Sequence, residues 1–126
     1  MTEKNRTIFC DIDGTIFKYR KFEEIKTTKP ELTPGSLEKL KRWKQEKCMI
    51  VFTTARPEEL RDHTVKELLV AGVPWDKLVM GIERGPRYLI NDMDPSKRGL
   101  RAVAYNLERD RGLKKIVVGP TEEIVK

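Results

Sequence analysis

Apolar residues fall along this chain in short runs that switch between a strand-like and a helix-like period. Thr7-Ile8-Phe9-Cys10 is a compact apolar run closed by the acidic, glycine-containing segment Asp11-Ile12-Asp13-Gly14-Thr15, which predicts a buried strand running into a loop. Thr33-Pro34 offers an N-cap and a proline at the first helical position, with Leu32 placed to staple onto Leu37. Leu37, Leu40 and Trp43 then recur every three residues among Lys39, Lys41, Arg42 and Lys44, the pattern of an amphipathic helix reaching about Lys47. Met49-Ile50-Val51-Phe52-Thr53 is continuous and β-rich, as strands buried on both faces of a parallel sheet are. Pro57-Glu58-Glu59 puts acids in the first turn of a second helix, whose expected core face is Leu60, Val65, Leu68 and Leu69 and whose end is Gly72. Lys77-Leu78-Val79-Met80 and Tyr88-Leu89-Ile90-Asn91 predict two further strands, and Ala102-Val103-Ala104-Tyr105-Asn106-Leu107 alternates like a fifth.

Strands alternating with helices predict an α/β fold: a Rossmann-like, open, mainly parallel sheet with right-handed crossovers and helices on both faces. No repeat, low-complexity stretch or composition shift interrupts the 126 residues, so a single domain over 1–126 is expected. Ligands of such sheets bind at the carboxyl ends of the strands. That rule gathers Asp11 and Asp13, Thr53-Thr54-Ala55-Arg56, and Asn91-Asp92-Met93-Asp94 on one edge.

Composition narrows the function classes. No run approaches the ~18 apolar residues of a membrane-spanning helix, and the mean hydropathy is −0.58. Met1-Thr2-Glu3-Lys4-Asn5-Arg6 lacks the apolar stretch of a secretion signal, so a cytoplasmic location is expected. Cys10 and Cys48 border apolar runs and read as buried reduced thiols. The net charge of +6 fits either a polyanionic partner or a solvated basic surface.

Three carboxylates at neighbouring strand ends repel one another unless a cation sits among them, and hard oxygen donors suit Mg²⁺. Such a set also supplies what phosphoryl transfer needs: a carboxylate nucleophile, charge neutralisation, hydroxyls and cations for the phosphate, and an acid/base for the leaving group. In an extended Asp-x-Asp segment both side chains point to the same side, so one can attack while the other serves the leaving oxygen.

Asp11-Ile12-Asp13-Gly14-Thr15 after one hydrophobic strand, Thr54-Ala55-Arg56 after a second and Asn91-Asp92 after a fourth resemble motifs I, II and IV of the haloacid dehalogenase (HAD) superfamily. The resemblance spans about Thr7 to Leu107. It implies that Asp11 is the nucleophile, forming an aspartyl-phosphate, and a Mg²⁺ ligand. It makes Asp13 the general acid/base, with its carbonyl also on the metal, and Thr54 the phosphoryl-binding hydroxyl. Asp92 would complete the metal site, with Asn91 hydrogen-bonded behind it and Asp94 either a helper there or a turn residue. The motif III lysine is missing, since no Lys lies between Lys77 and Lys97, and Arg84 and Arg87 are the cations offered instead. An arginine fork is not equivalent to a compact ammonium.

The segments Gly85-Pro86-Arg87-Tyr88-Leu89-Ile90-Asn91-Asp92 and Ala104-Tyr105-Asn106-Leu107-Glu108-Arg109 look like those of small capless members linked to sugar-phosphate or surface-polysaccharide metabolism. The intervals between motifs are taken up by core helices and strands, so no cap domain fits. The site is then open, or covered by residues 17–31 or by a neighbouring subunit of a homo-oligomer. The resulting reading is a Mg²⁺-dependent phosphomonoester hydrolase acting on a small phosphorylated metabolite such as a sugar phosphate. Its alternatives are a nucleic-acid end phosphatase and a non-catalytic HAD-like binding or regulatory protein.

Other residues carry blander readings. A calcium loop starting at Asp11 fails because Thr15 and Phe22 stand where acids are required. His63 reads as solvated, Trp43 as core and Trp75 as packing a loop. The run Lys39-Leu40-Lys41-Arg42-Trp43-Lys44 reads as a solvated face with one buried stripe. Lys18, Arg20 and Lys21 follow motif I and are expected to line the mouth of the site and attract an anion.

Overall fold

A computed structural model of the chain describes residues 6–96 and 99–119. The chain divides into two compact units, one of Met1–Arg84 with Leu107–Lys115 and one of Gly85–Asn106 with Ile116–Lys126.

Among the described residues, the first unit holds the strands β1 (Thr7–Cys10), β2 (Met49–Thr53) and β3 (Lys77–Val79), and the helices α1 (Ser36–Gln45) and α2 (Arg61–Ala71). The strands form one parallel sheet in the order β1-β2-β3. Register aligns Cys10 with Phe52 and Thr53 with Val79, so the segments that follow β1 and β2 leave the sheet at the same edge. The expected first three strands and two helices are therefore present.

Side-chain alternation sorts the sheet into two unequal faces. Ile8, Cys10, Ile50, Phe52 and Leu78 lie on one face and are buried or half-buried, and Leu40, Trp43 and Leu68 of the helices are buried as well. On the other face Val51 at the centre is buried, while Phe9, Met49 and Val79 around it are 57%, 40% and 44% exposed. A three-stranded parallel sheet with two helices is the α/β arrangement expected of a Rossmann-like fold.

Local details shift the expected boundaries. α1 begins at Ser36 after Gly35, whose φ is 73°, and not at Pro34. Thr33 instead donates its hydroxyl to the Thr15 carbonyl at 2.7 Å, tying the helix entry to the turn after Asp13. The core side of α2 carries Thr64, Glu67 and Leu68, while Leu69 is exposed. Asp76 anchors the start of β2, accepting from Lys44 Nζ at 2.8 Å and from the Ile50 N–H at 2.7 Å. Those two donors hold its carboxyl below the usual carboxylate range. Trp75 packs on Phe52, with ring centroids 6.4 Å apart. Cys10 and Cys48 are buried free thiols, as expected.

Two glycines make a test of packing. Gly72 closes α2 with φ 79° and has open space where a Cβ would stand, whereas Gly112, φ 87°, has the Pro34 carbonyl against that position. Gly72→Ala should cost about 1 kcal/mol, the left-handed backbone penalty alone. Gly112→Ala adds overpacking and should cost about 2–4 kcal/mol in urea titrations.

In the second unit, residues 85–96 and 99–106 are irregular, so the strands expected at Tyr88-Leu89-Ile90-Asn91 and Ala102-Val103-Ala104-Tyr105-Asn106-Leu107 are not formed. An apolar run becomes a strand only where neighbours supply its ladder and its packing, and here Tyr88 and Ile90 are 85% and 92% exposed. The Tyr105 hydroxyl donates to the Val117 carbonyl at 2.7 Å, and Ser96 closes a turn on Asp94. The Ile116-Val117-Val118 segment is irregular as well, and Lys97 and residues 120–126 lie outside the described residues. Among the described residues, no helix is long and apolar enough to cross a membrane.

Candidate active site

β1 delivers Asp11 and Asp13 to the carboxyl edge of the sheet, and β2 beside it delivers Thr54 and Arg56. The turn after β1 is closed locally, with the N–H groups of Thr15, Ile16 and Phe17 all directed at the Ile12 carbonyl and Gly14 N–H donating to Phe17 O. Ile12, Ile16 and Phe17 are fully buried. The acidic turn is therefore pinned by apolar anchors on either side of its carboxylates. The Thr15 hydroxyl donates to Asp11 Oδ2 at 3.3 Å.

Arg56 organises the site. Its Nε and Nη2 donate to the two oxygens of Asp13, each at 2.8 Å, and its Nη1 donates to Thr64 at 2.9 Å and to Glu67 at 3.0 Å. The guanidinium is 0% exposed. Burial disfavours its charge, but the hydrogen bonds and charges of Asp13 and Glu67 outweigh this and raise its pKa above the ordinary value. Arg56 N–H in turn donates to Thr54 Oγ1 at 3.1 Å, and Thr54 N–H donates to the Val79 carbonyl at 2.9 Å. Thr54 is buried by these contacts, so it does more than end a strand.

Cys10 borders this edge and donates weakly to the Asp11 carbonyl. Burial, with a smaller contribution from the Asp11 charge, pushes its thiol from the ordinary value of 9.0 up to about 12. The folded protein keeps the thiol neutral where the unfolded chain ionises it. Stability is then fully present below about pH 9 and declines toward pH 12 by up to ~1.4 kcal/mol per pH unit. Cys10→Ala should flatten that part of the alkaline slope in chemical denaturation.

The other expected site residues are placed as follows. Arg84, in the first unit, stacks on the Phe22 ring at 4.2 Å from its centroid. Arg87, Asn91, Asp92 and Asp94 belong to the second unit. There Arg87 donates to the Gly85 carbonyl, Asp92 lies 3.4 Å from Arg101, Asn91 is exposed, and Asp94 accepts from Ser96 as a turn residue does. Within the first unit, the structure brings together Asp11, Asp13, Thr54 and Arg56. Among the described residues, no three His, Cys, Asp or Glu side chains are grouped closely enough to hold a metal ion.

Two expectations are corrected. Arg20 is not a free surface cation: it is buried and donates to both oxygens of Glu67, at 2.9 and 3.1 Å. Lys18 and Lys21 remain exposed, Lys18 paired with Glu31 at 3.1 Å. His63 is half-buried with its Nε2 at 3.2 Å from both Glu67 Oε2 and the Ile25 carbonyl, so it is not a solvated residue.

The sequence reading missed Glu67 and Arg109. A helical step from Leu60 falls on Thr64, Glu67 and Leu68, so an acid on the core stripe was the available signal. No local signal places Arg109, which packs its stem against Gly14 and its guanidinium 3.9 Å over the Tyr19 ring. Asp110 next to it donates its N–H to Gly14 O and accepts from Tyr19 N–H. A cavity of about 370 Å³ opens beside this junction, lined by Lys18, Tyr19, Thr28, Lys29, Glu31 and Asp110 among others.

No family model matches the chain, and no curated protein does. Two solved structures share its fold. One is a chain of a Pnkp1/Rnl/Hen1 complex, with a TM-score of 0.55 and 21% identity, covering 67% of this chain but only 30% of that one. The other is a structural-genomics target from Vibrio cholerae, with a TM-score of 0.50 and 17% identity, covering 72% of this chain and 85% of that one.

Proposed function

We propose that the protein is a HAD-like, capless phosphomonoester hydrolase. The observation that carries this reading is the pair Asp11 and Asp13 at the end of β1, with Asp13 gripped through both oxygens by Arg56 of the neighbouring β2 end. In the reaction, an Asp11 oxygen attacks phosphorus, the bond to the substrate oxygen breaks, and Asp13 gives that oxygen its proton. Asp13 then takes a proton from water, whose oxygen attacks phosphorus and breaks the bond to Asp11, releasing phosphate. A carboxylate oxygen has two lone pairs, so the grip of Arg56 leaves Asp13 able to face the leaving group. Thr54 Oγ1 accepts from Arg56 N–H, and its own proton serves a phosphoryl oxygen.

The donors at this edge are oxygens, which fits Mg²⁺. Asp11 and the Asp13 carbonyl would hold it. Bound there, the ion supplies neutralisation of phosphate charge.

The substrate we propose is a small phosphorylated metabolite such as a sugar phosphate. A nucleic-acid end is the second reading. Arginines stacked on Tyr19 and Phe22 combine cation and ring as single-strand binders do, and the likeness to a chain of the Pnkp1/Rnl/Hen1 complex points the same way. Phosphate release from sugar phosphates and from 3′- and 5′-phosphorylated oligonucleotides, with and without Mg²⁺, tests both. A polymer bound through several phosphates loses affinity steeply with salt, and a small ester does so only shallowly.

A further inference from the structure

Glu67 stands outside the reacting groups yet joins most of the buried charge behind them. One oxygen accepts from Arg56 Nη1 at 3.0 Å and from Arg20 Nη2 at 2.9 Å; the other accepts from Arg20 at 3.1 Å and lies 3.2 Å from His63 Nε2. Arg20 is held in turn by the Ile25 and Thr28 carbonyls, at 3.3 and 3.0 Å. A guanidinium is planar, so fixing its Nη1 fixes the plane in which Nε and Nη2 meet Asp13. Buried ion networks are weak contributors to stability compared with apolar packing of the same volume. What this one supplies is geometry.

We infer that Glu67 is a positioning residue for Asp13, an inference that rests on the phosphomonoesterase reading. It holds Arg56 through Nη1, with Arg20 as its brace, and so sets the direction in which Asp13 meets the leaving-group oxygen. Proton delivery matters greatly for an alkoxide leaving group and little for a nitrophenolate. Loss of positioning must therefore show as a difference between esters, whereas damage to the fold lowers both alike.

The variants are Glu67→Gln and, because that change alone leaves surplus positive charge buried, the charge-balanced Glu67→Gln/Arg20→Gln. Steady-state kinetics compare an alkyl phosphate with nitrophenyl phosphate, and NMR of the Arg56 Nε–H reports its contact with Asp13 without turnover. The expected result is a kcat loss on the alkyl ester at least about tenfold larger than on the aryl ester, with a shifted or broadened Arg56 Nε–H signal. An equal loss on both esters, or wild-type rates on both, overturns the inference. If the wild-type protein hydrolyses neither ester, the phosphatase reading fails separately. The Arg56 signal then decides alone, and an unchanged signal in the folded double variant overturns the role of Glu67.

Discussion

Asp11→Asn should lower phosphate release from nitrophenyl phosphate by at least about a thousandfold, to the background of the reagent. An amide oxygen does not form the acyl-phosphate bond. Asp13 is gripped by Arg56 on both of its oxygens and does not substitute as the nucleophile. The hydrogen bond that Thr15 donates to Asp11, at 3.3 Å, is one an asparagine oxygen also accepts. Matched circular dichroism and melting curves check that the fold is kept. Equal phosphate release by wild type and Asp11→Asn would remove the hydrolase reading and leave a binding or regulatory protein on the same fold.

The largest effect on stability is expected at Arg56. Arg56→Met removes the cation shared by Asp13 and Glu67, whose side chains are 8% and 6% exposed. Glu67 keeps Arg20, but Asp13 is left in a closed position without its partner. Breaking a buried pair from one side costs about 3–5 kcal/mol, or roughly 10–20 °C in melting temperature for a chain of this size. Arg56→Lys should recover only part of this, because an ammonium cannot span Asp13, Thr64 and Glu67 at once. The exposed Arg42 and Glu46 pair, 3.2 Å apart one helical turn from each other, is the control. Arg42→Ala should cost less than about 0.5 kcal/mol.

The first half of the chain was legible in its sequence because its signals are local. Continuous β-rich runs gave β1 and β2, the three-residue recurrence of Leu37, Leu40 and Trp43 gave α1, and Gly72 ended α2. Asp11, Asp13 and Thr54 follow from the strand ends alone. Periodicity read by hydrophobicity failed where the core stripe is polar: Leu69 was preferred to Glu67 although the helical step favours Glu67. Basic residues after motif I looked like a surface because an arginine's partner lies far along the chain; Arg20 and Glu67 are 47 positions apart. The apolar runs at Tyr88 and Ala102 carry the composition of strands, yet a ladder is made by neighbours that a local pattern does not contain.

The charged cluster behind Asp13 also ties catalysis to cooperativity. Its members come from the loop after β1, the end of β2 and the middle of α2, so the network is complete only when all three segments are assembled. Opening α2 alone, as amide hydrogen exchange would detect it, releases Thr64 and Glu67 from Arg56 and leaves its two bonds to Asp13 without their brace. The acid of the proposed site is thus fully braced only in molecules whose second helix is intact.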